Sequence, residues 1–158
     1  MGITETTLRR IIDKTDVARL SVVQPNGSPD VMPIVFARVE DRLFSPIDEK
    51  PKTTARLSRI ESIRATPNVL VLLDHYSSDW NALWWIRLSC TARIIHEENI
   101  HWDRAVCSLL DKYEQYQTVG LFKGAQPTML EFEQKSVRSW AFSGASGFDD
   151  WLEGQFDR

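Results

Sequence analysis

A chain of 158 residues, 42% hydrophobic and 26% charged, has the composition of an ordinary folded domain. Its length suits one core, since two halves would each bury too little apolar surface to offset their conformational entropy. With 19 basic and 22 acidic residues the net charge is −3, which excludes a general electrostatic pull toward nucleic acid or an anionic membrane surface.

The N-terminus, MGITETTLRRIIDKTD, carries no apolar leader, and no apolar run nears the roughly 20 residues of a membrane span, so the chain reads as cytoplasmic. Residues 5–14 place Leu8, Ile11 and Ile12 at helical spacing. VARLSVVQ (17–24) follows as a β-branched strand and ends at the turn signal PNGSPD. VMPIVFARVE (31–40) reads as one strand, turned by Glu40-Asp41 into RLFSPID (42–48). Residues 53–65 repeat apolar positions at Ala55, Leu57, Ile60 and Ile63 and stop at Thr66-Pro67-Asn68, as a helix does before proline. NVLVLLDHY (68–76) and LWWIRLSCTARIIH (83–96) supply two more strands, HEENIHWDRAVCSLLDKYEQY (96–116) a helix, and TMLEFEQKSVRSWAFS (128–143) a final strand.

About six strands with interrupting helices and no βαβα alternation predict an α+β fold, an antiparallel barrel with flanking helices in a single domain over 1–158. Residues 143–158 form an acidic C-terminal tail. Its Phe148, Trp151 and Phe156 mark it as either loose or packed on something, a partner subunit being one candidate.

Cys90 and Cys107 lack any CxxC or Cys/His pairing and read as buried small hydrophobes. The spacing of His75, His96 and His101 matches no metal-ligand motif. No GxSxG, no Cys–His pairing and no carboxylate pair singles out a catalytic side chain. An enzyme of this kind leaves the reaction to a cofactor, which suits hydride transfer.

DEKPKTTARLSR is the most informative stretch. It places Lys50, Lys52, Arg56 and Arg59 around the first turns of a helix, where partial positive charge favours acids. Free backbone N–H groups, the hydroxyls of Thr53 and Thr54 and the lysine ammonium groups together suit a phosphate, with Ser45 at the end of the preceding strand. The plain alternative is that Thr53 or Thr54 caps the helix and the lysines are solvated. In DWNALWWIRLSCTARI, strand alternation sends Trp84 and Trp85 to opposite faces and Arg87 to the face of Trp85. Trp84 is assigned to an interface between subunits and Trp85 to the edge of an aromatic ring site.

From Val17 to Phe142 the chain resembles the pyridoxamine 5′-phosphate oxidase-like superfamily of flavin-binding split barrels. VARLSVVQPNGSPDVMPIVFA, DEKPKTTARLSRIESIRATPNV, LLDHYSSDWNALWWIRLSCTARI and KYEQY resemble in particular its subgroup of enzymes dependent on the deazaflavin coenzyme F420. The resemblance implies a homodimeric six-stranded FMN-binding split barrel with cofactor at the subunit interface. It implies main-chain contacts to the ring from Pro33, Ile34 and Val35, and a phosphate held by Ser45, Lys50, Lys52 and Thr53. Trp85, Arg87 and Trp140 would complete the ring site, and Arg56 and Arg59 would attract a carboxylate-bearing tail. The implied activity is hydride transfer from F420 to a small-molecule acceptor. FMN as cofactor, a non-catalytic flavin carrier or sensor, and a dimeric module for another phosphate ligand stand as alternatives. The chain departs from vitamin B6 oxidation, because SVRSWAFSGASGF replaces the C-terminal arginine and histidine pattern.

Overall fold

The structure, a computed structural model, describes residues 2–47, 53–122 and 126–155, with only the backbone described for residues 53–57. Helix α1 (Glu5–Lys14) starts where the Thr4 side chain accepts the Thr7 N–H, and it buries Leu8, Ile11 and Ile12. Strand β1 (Ala18–Val23) alternates buried and exposed residues and turns through Gly27, at φ 85°, into β2 (Pro29–Ile34). Strand β3 (Ala37–Val39) pairs with β4 (Arg42–Pro46) across the predicted Glu40-Asp41 turn. Then come α2 (Thr53–Ala65), β5 (Asn68–His75), a 3-10 turn at Trp80–Ala82 and β6 (Trp84–Ile95). Helices α3 (Trp102–Lys112) and α4 (Gln115–Val119), strand β7 (Met129–Ala141) and helix α5 (Ser146–Gly154) complete the chain.

The strands form one antiparallel sheet in the order β2-β1-β5-β6-β7-β4-β3. It has seven strands rather than six and is not closed, because the expected strand over 31–40 breaks at Val35-Phe36 into β2 and β3. These two strands are consecutive in sequence yet occupy opposite edges. A flat sheet would set them about 29 Å apart, at about 4.8 Å per strand. The two-residue link reaches at most about 11 Å. The sheet must therefore curl until its edges meet at Val35-Phe36.

That seam has backbone groups that no strand ladder takes, and side chains take them instead. The Ser45 hydroxyl donates to the Val35 carbonyl at 2.7 Å. The Phe36 N–H donates to the Tyr113 hydroxyl at 3.0 Å, and that hydroxyl lies 2.8 Å from both the Phe36 and Asp16 carbonyls. Tyr113 thus reaches from the end of α3 to join β3's start to β1's approach.

Inside the curl, Leu20, Val71, Leu73, Trp84, Ile86 and Phe132 form the main core with α1, and Phe44, Trp102, Leu109 and Met129 form a second cluster under α3. The C-terminal tail packs on its own chain: Phe148 and Leu152 of α5 are buried, and Trp151 meets Trp84 edge-on at 4.9 Å. The assignment of Trp84 to a subunit interface is therefore wrong, since α5 covers it and its exposure is 0%. Of the pair read as buried, Cys90 is buried and Cys107 is exposed on α3.

Replacing Tyr113 by Phe strands the buried Phe36 N–H and carbonyl while preserving the ring. Chemical denaturation is expected to show a loss of about 1–3 kcal/mol. A loss below about 0.5 kcal/mol would mean that the seam does not depend on this hydroxyl.

Candidate functional site

The outer face of the sheet, away from the core, carries the densest set of residues singled out from the sequence. Alternation along β6 turns Trp84 inward and Trp85, Arg87 and Ser89 outward. Strand register then builds rows across the sheet. One row sets Asp74, Trp85 and Trp140 side by side. The next runs Pro33, Arg19, Leu72, Arg87, Arg138 over five strands. A third runs Val31, Ser21, Leu70, Ser89, Ser136.

Electrostatics on this face are uneven. The Arg87 guanidinium lies 5.6 Å from the centre of the Trp85 ring, within cation–π range. Arg19 forms an ion pair with Asp74 at 3.0 Å. The Asp74 Oδ1 atom is buried under Arg19, and the Asp74 side chain as a whole is 21% exposed and stands beside Trp85 in the row. Trp140 is 41% exposed, and Phe142 and Trp80 extend the aromatic edge beyond it, each pair of rings 6.5 Å apart. A flat conjugated ring fits this combination of π faces, cation and carboxylate.

Pro33, Trp85, Arg87 and Trp140 are thus brought to one face. Val35 and Ser45 form a second group at the seam. Ile34 is buried in the core, and buried Ser45 gives its hydroxyl to Val35. Val35 lines a cleft of about 630 Å³ with Val17, Lys112, Tyr113, Tyr116 and Val119. Lys50 and Lys52 lie outside the described residues, as do the side chains of Thr53, Thr54 and Arg56, whose backbone forms the start of α2. Sequence reasoning missed Arg138 and Arg19. The signal for Arg138 was available, because period-2 alternation along SVRSW puts it on the face of Trp140.

No nucleophile emerges from the buried thiol: burial pushes the Cys90 pKa up to about 12, which leaves it protonated. Among the described residues no group of three or more His, Cys, Asp and Glu side chains could hold a metal ion. No helix among them is long and apolar enough to cross a membrane.

No protein-family model and no curated protein matches this sequence. The fold, however, is that of pyridoxamine 5′-phosphate oxidase-like split-barrel proteins. The chain is similar to a FAD-binding protein from Mesorhizobium loti, with a TM-score of 0.65 and 15% identity over 88% of this chain and 95% of the other. It is similar to HutZ, a heme storage protein from Vibrio cholerae, with a TM-score of 0.66 and 13% identity over 88% and 94%. It is also similar to a pyridoxamine 5′-phosphate oxidase candidate from Listeria innocua, with a TM-score of 0.59 and 17% identity over 85% and 96%.

In the wall of the seam cleft, Lys112 donates to the Ile12 carbonyl at 3.0 Å and lies 3.9 Å from the centre of the Phe36 ring. Desolvation by burial outweighs the attraction of Asp13 and Asp16 and lowers its pKa from 10.5 to about 8. Folding therefore disfavours the protonated amine, and this penalty is complete below pH 8 and fades as pH approaches 10.5. Denaturation of the wild type and of Lys112→Met is expected to show the stability difference, wild type minus variant, rising between pH 8 and pH 10. A difference that stays flat or falls over that window would show that the amine is not desolvated.

Proposed function

We propose that the outer sheet face binds the ring of a flavin-type cofactor and that the protein is an oxidoreductase using coenzyme F420, with FMN the alternative. The observation that carries this reading is the row of Trp85 and Trp140 beside Arg87 and the partly exposed Asp74 carboxylate. Bound there, F420 would supply a hydride for a small-molecule acceptor. The chain's part is to hold and orient. Trp85 and Trp140 offer π faces, Asp74 accepts from a ring N–H, and Pro33, Ile34 and Val35 contribute main chain along β2 and the seam. Lys50, Lys52, Thr53, Thr54 and Arg56 would meet the phosphate and the charged tail at the start of α2; Ser45, buried with its hydroxyl on the Val35 carbonyl, supports the seam and does not reach the phosphate. A homodimer agrees with the apolar surface that Val31, 64% exposed, leaves on edge strand β2.

A second reading, a non-catalytic flavin carrier or sensor, is favoured by the neighbour of the same fold that stores heme. Parallel titrations of F420 and FMN, followed by quenching of tryptophan fluorescence, separate these readings. F420 is expected to bind more tightly than FMN, with the tail's share of affinity weakening between low salt and ~0.15 M. Tighter FMN binding at both salt levels would replace F420 by FMN, and binding with no cofactor oxidation across a panel of acceptors would favour the carrier.

Lys50→Ala and Lys52→Ala are each expected to weaken cofactor binding about ten- to a hundredfold with the fold intact. Unchanged affinity in the double variant would place the phosphate elsewhere. Light scattering is expected to give about twice the chain mass of 18.2 kDa, and a mass of one chain would contradict the dimer.

A further inference from the structure

Directly opposed like charges on neighbouring strands destabilise a sheet. Arg87 of β6 and Arg138 of β7 are such a pair. Among the described residues neither has a carboxylate within salt-bridge distance. The nearby acids are engaged elsewhere: Asp74 by Arg19 at 3.0 Å, and Glu133 by Lys135 at 3.0 Å and Arg93 at 3.6 Å. Two further features lie beside the pair. The β6–β7 register shifts between Ser89 and Cys90, a bulge of the kind that re-aims side chains next to binding sites. At the same place the face sinks into a depression of about 310 Å³, whose lining includes Ser21, Val23, Leu70, Ser89 and Lys135.

We propose that this depression and the arginine pair form a seat for a small amphiphilic anion, the substrate of the reaction assigned above. Its apolar body rests on Val23 and Leu70, and its carboxylate lies between Arg87 and Arg138. The inference rests on the cofactor reading only in calling the anion a substrate. The ring platform of Trp85 and Trp140 adjoins the pair on its other side, so the carboxylate end of an anion held by the arginines lies next to the proposed cofactor ring. A volume of about 310 Å³ is at the small end of ligand pockets and suits a single ring with a short acidic side chain. Guanidinium groups hold carboxylates with paired, charge-assisted hydrogen bonds, and the serines of the next row can take a further polar group.

Calorimetric titration of the cofactor-free protein with trans-cinnamate and with its uncharged amide, cinnamamide, tests the seat without any turnover. Cinnamate is expected to bind at least about tenfold more tightly than the amide. Arg138→Gln and Arg87→Gln are each expected to remove that preference. Since each relieves a like-charge repulsion, the thermal midpoint should stay level or rise, and the mass by light scattering should not change. Equal binding of acid and amide, or a preference that survives both substitutions, would overturn the proposal. A change of mass in Arg138→Gln would also overturn it, because the pair would then serve contact with a second copy of the chain. F420 and FMN titrations on the same samples keep the two readings apart: cinnamate binding without cofactor binding sinks the cofactor reading and leaves the anion seat standing.

Discussion

The hydroxyl of Tyr113 holds together the one place where this sheet meets itself. Strands β2 and β3 are joined by two residues yet stand at opposite edges of a seven-stranded sheet, so the curl is obligatory and its backbone must be satisfied without a ladder. Tyr113 supplies the acceptor for the Phe36 N–H and faces two carbonyls, and Ser45 takes the Val35 carbonyl. Lys112, one residue earlier, ties the C-terminal end of α1 to the same place through the Ile12 carbonyl. Arg38 of β3 adds a two-pronged ion pair to Asp13 at 2.9 and 2.6 Å. The fold spends a tyrosine, a serine and a desolvated lysine on closing an edge that a complete barrel would close with strand pairing.

The curl settles which face is core and which is open. Every inward position on β1, β5 and β6 is apolar except His75, whose ring faces Trp84 and Trp151; α1 packs on this core and α5 covers Trp84. The outward positions of the same strands then line up in register as alternating rows of aromatic, cationic and hydroxyl side chains. Such a surface is costly for a protein in isolation. Its exposed rings and opposed arginines are each unfavourable, and each becomes favourable when a flat ligand with a negative group arrives. The candidate site is therefore written in register, two residues at a time, and not in a contiguous motif.

Much of this was readable in the sequence. The strands over 68–76 and 83–96 carry strong periodicity and, like helix 53–65, stand close to where the pattern put them. The break at Val35-Phe36 was not readable, because VMPIVFA is one unbroken apolar run and the signal for the break lies in Tyr113, distant in sequence. Trp84 looked available for an interface because alternation says which face a residue takes and not what covers it, and α5, taken as a possible loose tail, is the cover. Trp85 and Arg87 were found because alternation alone places them, whereas Trp140 and Pro33 came from the family resemblance. Arg138 obeys the same rule, two residues before Trp140 on β7 and on the same face.

The most direct test of the cofactor assignment is a crystal structure of the protein grown with coenzyme F420. The tricyclic ring is expected on the outer face, against Trp85 or Trp140, with a ring N–H within hydrogen-bond distance of the Asp74 carboxylate. A ring bound in the seam cleft beside Tyr116, or any bound state that leaves both tryptophans uncovered, would contradict it.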